Sequence, residues 1–245
     1  MAVVSMTGIV VKQVKVGDYD KILTLLSPEH GKVQVSAKGV RSLKNKNSAG
    51  CNILAYSSFE LKEGKEMYAL LGCDLKENFY HLREDLYRLG VGCYMGEVAA
   101  YVAREGEPCP ELCRLLLNSL FFLQKEEVSP KALKAIFELR LLREEGLSPE
   151  VSECVFCGNT ERLEWFDPLG GSAVCEECKE PHLLKVTPHT LRAIGAITGG
   201  SLKEAFTYPL NETVIERMGK ISEQMILMHI APRFRSLEYL KSLEG

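Results

Sequence analysis

Lys32-Val33-Gln34-Val35-Ser36-Ala37-Lys38 is the stretch that decides how the first third of this chain is built. Val33, Val35 and Ala37 alternate with Lys32, Gln34, Ser36 and Lys38, the two-residue period of a strand with one apolar face and one basic, polar face. The same pattern continues outward. Upstream, Thr7 to Val16 is rich in β-branched residues, Lys21 to Leu26 is a short apolar run, and Ser27-Pro28-Glu29-His30-Gly31 is a turn. Downstream, Tyr56 to Lys62 and Met67 to Cys73 flank Glu63-Gly64-Lys65-Glu66, a hairpin signal.

Five short strands within the first 80 residues suit a small antiparallel barrel, and the OB-fold is the member of that class they match best. After Asn78 the period becomes helical. Tyr87, Val91, Tyr94, Val98 and Tyr101 recur at helical steps, and Leu86, Leu89 and Cys93 line a second face, so that helix is expected to be buried on more than one side. Gly90, Gly92 and Gly96 would let neighbours approach it closely. Further helices are expected from about Pro110 to Lys125 and from Pro130 to Glu145, ending at Gly146. They resume near Pro188, and Val214, Met218, Ile221, Met225 and Met228 mark a final amphipathic helix after an Asn211 cap, with the methionines read as core. The expected fold is α+β and multidomain. An N-terminal OB-fold β-barrel over residues 1–80 precedes an all-α domain over 81–245, which carries a four-cysteine zinc-binding insertion at about 150–183.

That insertion rests on Cys154-Val-Phe-Cys157 and Cys175-Glu-Glu-Cys178, separated by 17 residues. Each C-x-x-C lets two thiolates grip one ion from a tight turn, and the gap suffices for a short hairpin that brings the pairs together. Four sulfur ligands leave zinc no open position, so one Zn²⁺ would hold structure without performing hydrolysis. Paired disulfides would need an oxidising compartment, and Met1-Ala-Val-Val-Ser-Met has neither a basic nor an apolar leader region; a cytoplasmic, nucleoid-associated protein is expected. A thioredoxin-like redox pair would need only one of the two motifs. Cys51, Cys73, Cys93, Cys109 and Cys113 share no such spacing and read as buried small hydrophobes.

With 245 residues, 46% of them hydrophobic, the chain can build real cores, and its longest apolar stretches are too short to cross a bilayer. The net charge of −3 conceals an asymmetry: residues 1–80 hold 11 Lys/Arg against 8 Asp/Glu, while the remainder is acidic. Within Gly31–Lys46 stand Lys32, Lys38, Arg41, Lys44 and Lys46 and no acidic residue. That pattern seeks anions and could track a phosphate backbone, although a solvated loop would read similarly. Tyr19, Tyr56, Phe59 and Tyr68 are available nearby for base stacking but read as core. Arg140 and Arg143 could receive an acidic, apolar peptide tail or satisfy Glu138, Glu144 or Glu145. Asp18 and Asp20 lack a third carboxylate for magnesium, and His182 and His189 read as bystanders to the cysteines.

No catalytic residue is assigned. The chain has no phosphate-binding G-x-x-x-x-G-K-[ST] loop, no H-E-x-x-H, and no clustered carboxylates of the two-metal nuclease type. A zinc-containing RNA-binding or adaptor protein using the same barrel stays open beside a DNA-binding one, because backbone contacts do not separate the polymers unless a group reads the 2′-OH.

The segment Ser27-Pro28-Glu-His-Gly31-Lys32, followed by Val33-x-Val35-x-Ala37-Lys38-Gly39-Val40-Arg41, resembles the N-terminal signature of the bacterial RecO family of DNA repair and recombination mediators. Phe59-Glu-Leu61-Lys-Glu63-Gly64-Lys65 is similar to that family's fourth strand and hairpin. Trp165-Phe-Asp-Pro168-Leu-Gly170-Gly171-x3-Cys175 and Arg233-Phe-Arg235-Ser236-Leu237-Glu-Tyr-Leu240 are similar to its zinc segment and C-terminal end. The resemblance implies an OB-fold followed by a helical domain and a non-catalytic role. That role comprises binding single- and double-stranded DNA, annealing complementary strands, and helping RecA load onto coated strands. The implied partners are RecR and the acidic C-terminal tail of the single-stranded-DNA-binding protein. Some members of the family lack the cysteines; here all four are present.

Overall fold

The computed structural model describes residues 2–42 and 44–244; Met1, Leu43 of the basic segment and Gly245 lie outside them. Strand β1 (Val3–Val16) is long because it serves two partners. Its first half pairs with β4 (Tyr56–Lys62), and Ile9 onward pairs with β2 (Asp20–Ser27), with a bulge between Val10 and Lys12. Strand β3 (Gly31–Ala37) lies antiparallel to β2 and touches β5 (Tyr68–Glu77) in parallel through Val35↔Tyr68 and Ser36↔Ala69. These pairings close an OB-like barrel in the order β1-β2-β3-β5-β4, which leaves no open edge. The alternation read in β3 is real: Val33, Val35 and Ala37 join Leu23, Leu25, Phe59 and Leu61 in the barrel core, while Lys32, Gln34 and Ser36 are half-buried.

Helix α1 (Leu86–Val102) starts where the Asp85 carboxylate accepts from the N–H groups of Tyr87 and Arg88. Its glycines permit close packing, as expected. A Cβ on Gly92 would stand 2.9 Å from Leu54 and 3.2 Å from Leu120 of α2 (Pro110–Leu123), and one on Gly90 would stand 2.8 Å from Leu240 of α7 (Arg235–Glu244). The helix is buried on more than one side, but its ends depart from the expected pattern. Leu86 and Tyr101 are both 57% exposed, because Leu86 opens the first turn and Tyr101 closes the last; Tyr101 rests edge-on against Phe234.

The barrel joins these helices at the β2–β3 turn. The N–H of Lys32 donates to Arg104 O at 3.0 Å, that of Gly106 to His30 O at 3.2 Å, and that of Cys109 to Pro28 O at 2.9 Å. Gly31 makes this approach possible: its φ is +64°, and a Cβ there would lie 2.3 Å from the carbonyl oxygens of both Arg104 and Glu107. The chain up to Gln124, with the stretch from Phe234 onward, forms one compact unit, and Lys125–Arg233 forms a second.

In the second unit α3 (Pro130–Glu144) packs on α6 (Glu212–Met225). Between them in sequence come a small sheet ordered β7-β6-β8, built from β6 (Leu163–Asp167), β7 (Ser172–Cys175) and β8 (Leu184–Lys185), and then helices α4 (Pro188–Gly199) and α5 (Leu202–Thr207). Met218 and Met225 are buried as read, but Met228 is 54% exposed. The chain over Ile226–Ile230 opens into a π turn, which rotates Met228 off the apolar stripe. At the α3–α6 contact Lys134 Nζ lies 2.8 Å from carboxylate oxygens of both Glu138 and Glu223, and the Ser222 hydroxyl donates to Glu138 at 2.6 Å. Burial disfavours the Lys134 ammonium, but the two carboxylates outweigh that and raise its pKa above the usual lysine value.

Two outcomes follow from this packing. Lys134→Met strands the fully buried Glu138 charge and should cost about 3–5 kcal/mol, most of it recovered when Glu138→Leu is added; equal losses in the single and double variants on chemical denaturation would contradict the assignment. Gly31→Ala should cost about 1–3 kcal/mol from backbone conformation alone, and more if the 104–107 carbonyls cannot retreat. An unchanged denaturation midpoint would contradict it.

Candidate functional site

The basic segment leaves the barrel at the end of β3 and runs as consecutive turns. The N–H of Ser42 donates to Gly39 O, that of Asn45 to Ser42 O and that of Ser48 to Asn45 O, at 3.0 to 3.1 Å. Both flanks are fastened. At its start the Gly39 N–H donates to the Asp20 carboxylate at 2.8 Å, the Arg41 N–H donates to Tyr19 O at 2.9 Å, and the Arg41 guanidinium donates to Gly17 O at 2.8 Å. Near its end the Asn47 side-chain oxygen accepts from the Cys73 N–H on β5 at 3.2 Å. Gly39, with φ +68°, takes the left-handed conformation that turns the chain out of the strand.

Three of the five cations stand outward on this frame: Lys38, Lys44 and Lys46 are exposed. Arg41 is half-buried because its side chain fastens the loop to the β1–β2 turn. Lys32 lies apart from them, half-buried, with its ammonium donating to Ala100 O in the last turn of α1 at 3.2 Å, where a cation meets the negative end of the helix dipole. Among the described residues no carboxylate lies within ion-pair distance of Lys38, Arg41, Lys44 or Lys46. Lys46 stands at a cleft of about 710 Å³ also lined by Glu29, Glu60 and Asp74, whose combined charge disfavours an anion inside it.

The aromatic residues divide. Phe59 is core, Tyr56 and Tyr68 are half-buried, and Tyr19, read from sequence as core, is 63% exposed at the β1–β2 turn. Its neighbour Asp20 has a structural duty in holding Gly39.

The four cysteines converge. All four Sγ atoms lie within 4.8 Å of one another, and the Cys157 and Cys175 sulfurs are 3.7 Å apart. A tetrahedron with metal–sulfur arms of about 2.3 Å has edges of about 3.8 Å, so the donor set fits one thiolate-bound ion. The first pair sits in a knuckle: the Gly158 N–H donates to Cys154 O at 2.8 Å, and Gly158 adopts φ +71°. In the second pair Cys175 ends β7, and Cys178 follows after a single 3₁₀ turn. Burial opposes ionisation of the Cys154 thiol, but N–H groups of Cys175, Phe156 and Cys157 outweigh it and hold its pKa down to about 6. Hydrogen bonding with the Cys157 and Cys175 sulfurs pushes the Cys178 thiol up to about 12, and a cation held by the four sulfurs would pull it back down. His182 pairs with Glu180 at 3.4 Å and takes no part in the cluster.

Sequence reasoning missed two further thiol contacts, Cys51 with Cys73 at 3.9 Å and Cys109 with Cys113 at 3.8 Å, because neither pair has a metal-binding spacing. It also missed what Arg140 and Arg143 bind. Arg140 donates to Ile197 O and Gly200 O at 3.1 and 2.7 Å, and Arg143 to Thr198 O and Gly200 O at 2.5 and 3.1 Å. Both cap the C-terminal end of α4.

Two family models match in succession: Recombination protein O N terminal over residues 1–79 and Recombination protein O C terminal over residues 83–238. A DNA repair protein RecO of Acetivibrio thermocellus is 34% identical over 241 residues, covering 97% of this chain and 96% of that protein. Another, of Alkaliphilus metalliredigens, is 31% identical over 240 residues, covering 96% and 98%. A third, of Desulfitobacterium hafniense, is 33% identical over 206 residues, covering 82% and 72%. With both models matching in succession and relatives above 30% identity over nearly its whole length, the chain belongs to the RecO family of DNA repair proteins.

Proposed function

We propose that this protein is a non-catalytic mediator that binds single- and double-stranded DNA, anneals complementary strands, and acts with RecR to load RecA onto strands coated by single-stranded-DNA-binding protein. The observation that carries the reading is the basic loop: exposed Lys38, Lys44 and Lys46 on a backbone fastened at both flanks, with no carboxylate paired to them among the described residues. Such cations neutralise phosphates and release counterions, so binding is largely sequence-independent and weakens steeply with salt. Two polyanionic strands held on one cationic surface repel each other less and meet more often, which speeds annealing without a covalent step.

In this reading nucleic acid is the business of the barrel over residues 1–80, and the protein works in the cytoplasm, at the nucleoid. The helical remainder, with its metal, presents surfaces to RecR and to the acidic tail of the coating protein. The ion is one structural Zn²⁺ on Cys154, Cys157, Cys175 and Cys178, whose four-sulfur shell supplies rigidity.

Strand annealing of complementary oligonucleotides without ATP tests the reading. The wild type should accelerate it, and the triple variant Lys38→Ala, Lys44→Ala, Lys46→Ala, which leaves the Arg41 fastening intact, should lose most of that acceleration. Its single-strand binding slope against log salt should be shallower by about 2. A folded, metal-loaded wild type that fails to anneal would move the RNA-binding or adaptor reading to the front, and competition between single-stranded DNA and RNA would then separate those. The metal is tested separately. Structural zinc contributes on the order of 10 kcal/mol to local folding, so Cys157→Ser should abolish zinc binding and unfold the 150–183 segment while the barrel still binds DNA. Stoichiometric zinc retained by the variant, or equal loss of barrel and helical signals on heating, would contradict that role.

A further inference from the structure

The β1–β2 turn carries a second set of groups with the chemistry of a nucleic-acid site. Tyr19 is 63% exposed at its tip, and Val14 and Val16 on the approaching strand are 46% and 42% exposed. Lys12 and Lys15 on β1 are exposed as well. An aromatic ring and two aliphatic side chains in water lose the burial they would gain elsewhere, so their clustering at one turn asks for a ligand with apolar faces. The cations beside them ask for one that is also an anion.

The position of this turn is fixed. Tyr19 O accepts from the Arg41 N–H, Gly17 O accepts from the Arg41 guanidinium, and the Asp20 carboxylate accepts from the Gly39 N–H. The hairpin tip and the basic loop are therefore one construction, joined at Tyr19 and Arg41 through the backbone. Lys21 behind them is only 8% exposed and donates to Cys51 O and the Asn52 side chain. Burial lowers its pKa, and the charges of Arg41 and Lys15 push the same way, which places these cations within reach of one another's fields. Two carboxylates, Asp18 and Asp20, stand at the turn, fewer than the cations Lys15, Lys21, Lys38, Arg41 and Lys44 of the turn and loop.

We infer that the β1–β2 turn and the basic loop form one single-strand-selective site, in which the Tyr19 ring stacks on an unpaired base while Lys15, which faces Lys21 across the hairpin, extends the phosphate track of Lys38 and Lys44. The inference rests on the nucleic-acid reading above and adds the element that distinguishes strand from duplex. A phosphate contact is made equally by both polymers, but a base offers its face to a side chain only when it is unpaired and unstacked. Stacking on the face leaves the hydrogen-bonding edge open to a complementary strand. Once the pair forms, the base stacks on its duplex neighbours and leaves the ring, so the same contact that holds the substrate of annealing releases its product.

Equilibrium binding by fluorescence anisotropy decides this, using labelled oligo(dT), an abasic strand of the same length, and a duplex, with wild type, Tyr19→Ala, Tyr19→Phe and Lys15→Ala. Tyr19→Ala should weaken oligo(dT) binding at least about fivefold without changing the salt slope, while Tyr19→Phe stays near wild type. Its affinity for the duplex and for the abasic strand should stay within about twofold of wild type, because neither offers a free base face. Lys15→Ala should weaken all three and make the oligo(dT) slope shallower by about 0.7. Wild-type affinity of Tyr19→Ala for oligo(dT), or equal loss on all three polymers, overturns the stacking site while leaving the function proposed above in place. A wild type that binds none of the three overturns both.

Discussion

A side chain at residue 31 would have to displace its surroundings. The carbonyl oxygens of Arg104 and Glu107 occupy the space a Cβ would need, and the left-handed backbone there would strain any other residue. What this vacancy secures is a backbone seam between the β2–β3 turn and the α1–α2 connection, three hydrogen bonds long. The seam fixes where β3 begins, and β3 in turn fixes both the closure of the barrel onto β5 and the point at which the basic loop leaves it. One consequence is that the barrel, α1, α2 and the returning α7 form a single compact unit, although the chain changes from strands to helices near residue 80. The loop is thus carried on a scaffold that spans two sequence regions.

The second unit is held by costlier means. A lysine with two carboxylates at the α3–α6 contact stabilises only while every partner is present, since the desolvation of each charge is offset by the others. Arg140 and Arg143 extend the polar frame by closing the carbonyl end of α4. The four cysteines converge in the segment between α3 and α4, whose strands are short.

Much of this was legible in the sequence, for identifiable reasons. The alternation of Val33, Val35 and Ala37 is a two-residue period that can serve only one face, and paired C-x-x-C motifs call for convergence, so the strand and the four cysteines that meet could be named residue by residue. What escaped depends on contacts distant along the chain. Met228 obeys the helical period but sits in a π turn, which no propensity marks. Lys32 belongs to the basic run in sequence yet reaches a helix carbonyl 68 residues away. Tyr19 resembles a core aromatic until the turn holding it is seen to be pinned from outside by Arg41. Arg140 and Arg143 sit beside glutamates on their own helix, but their guanidinium groups go to a different helix end.

The proposed function requires that nucleic acid be engaged by a surface assembled from the β1–β2 turn and the basic loop. Amide hydrogen exchange of the full protein with and without a saturating single-stranded oligonucleotide tests it directly. Protection should concentrate in residues 12–21 and 38–48, with the amides of Gly39 and Arg41, which fasten turn to loop, slowed most. Protection confined to residues 125–233, with both of these stretches exchanging as in the free protein, would contradict it.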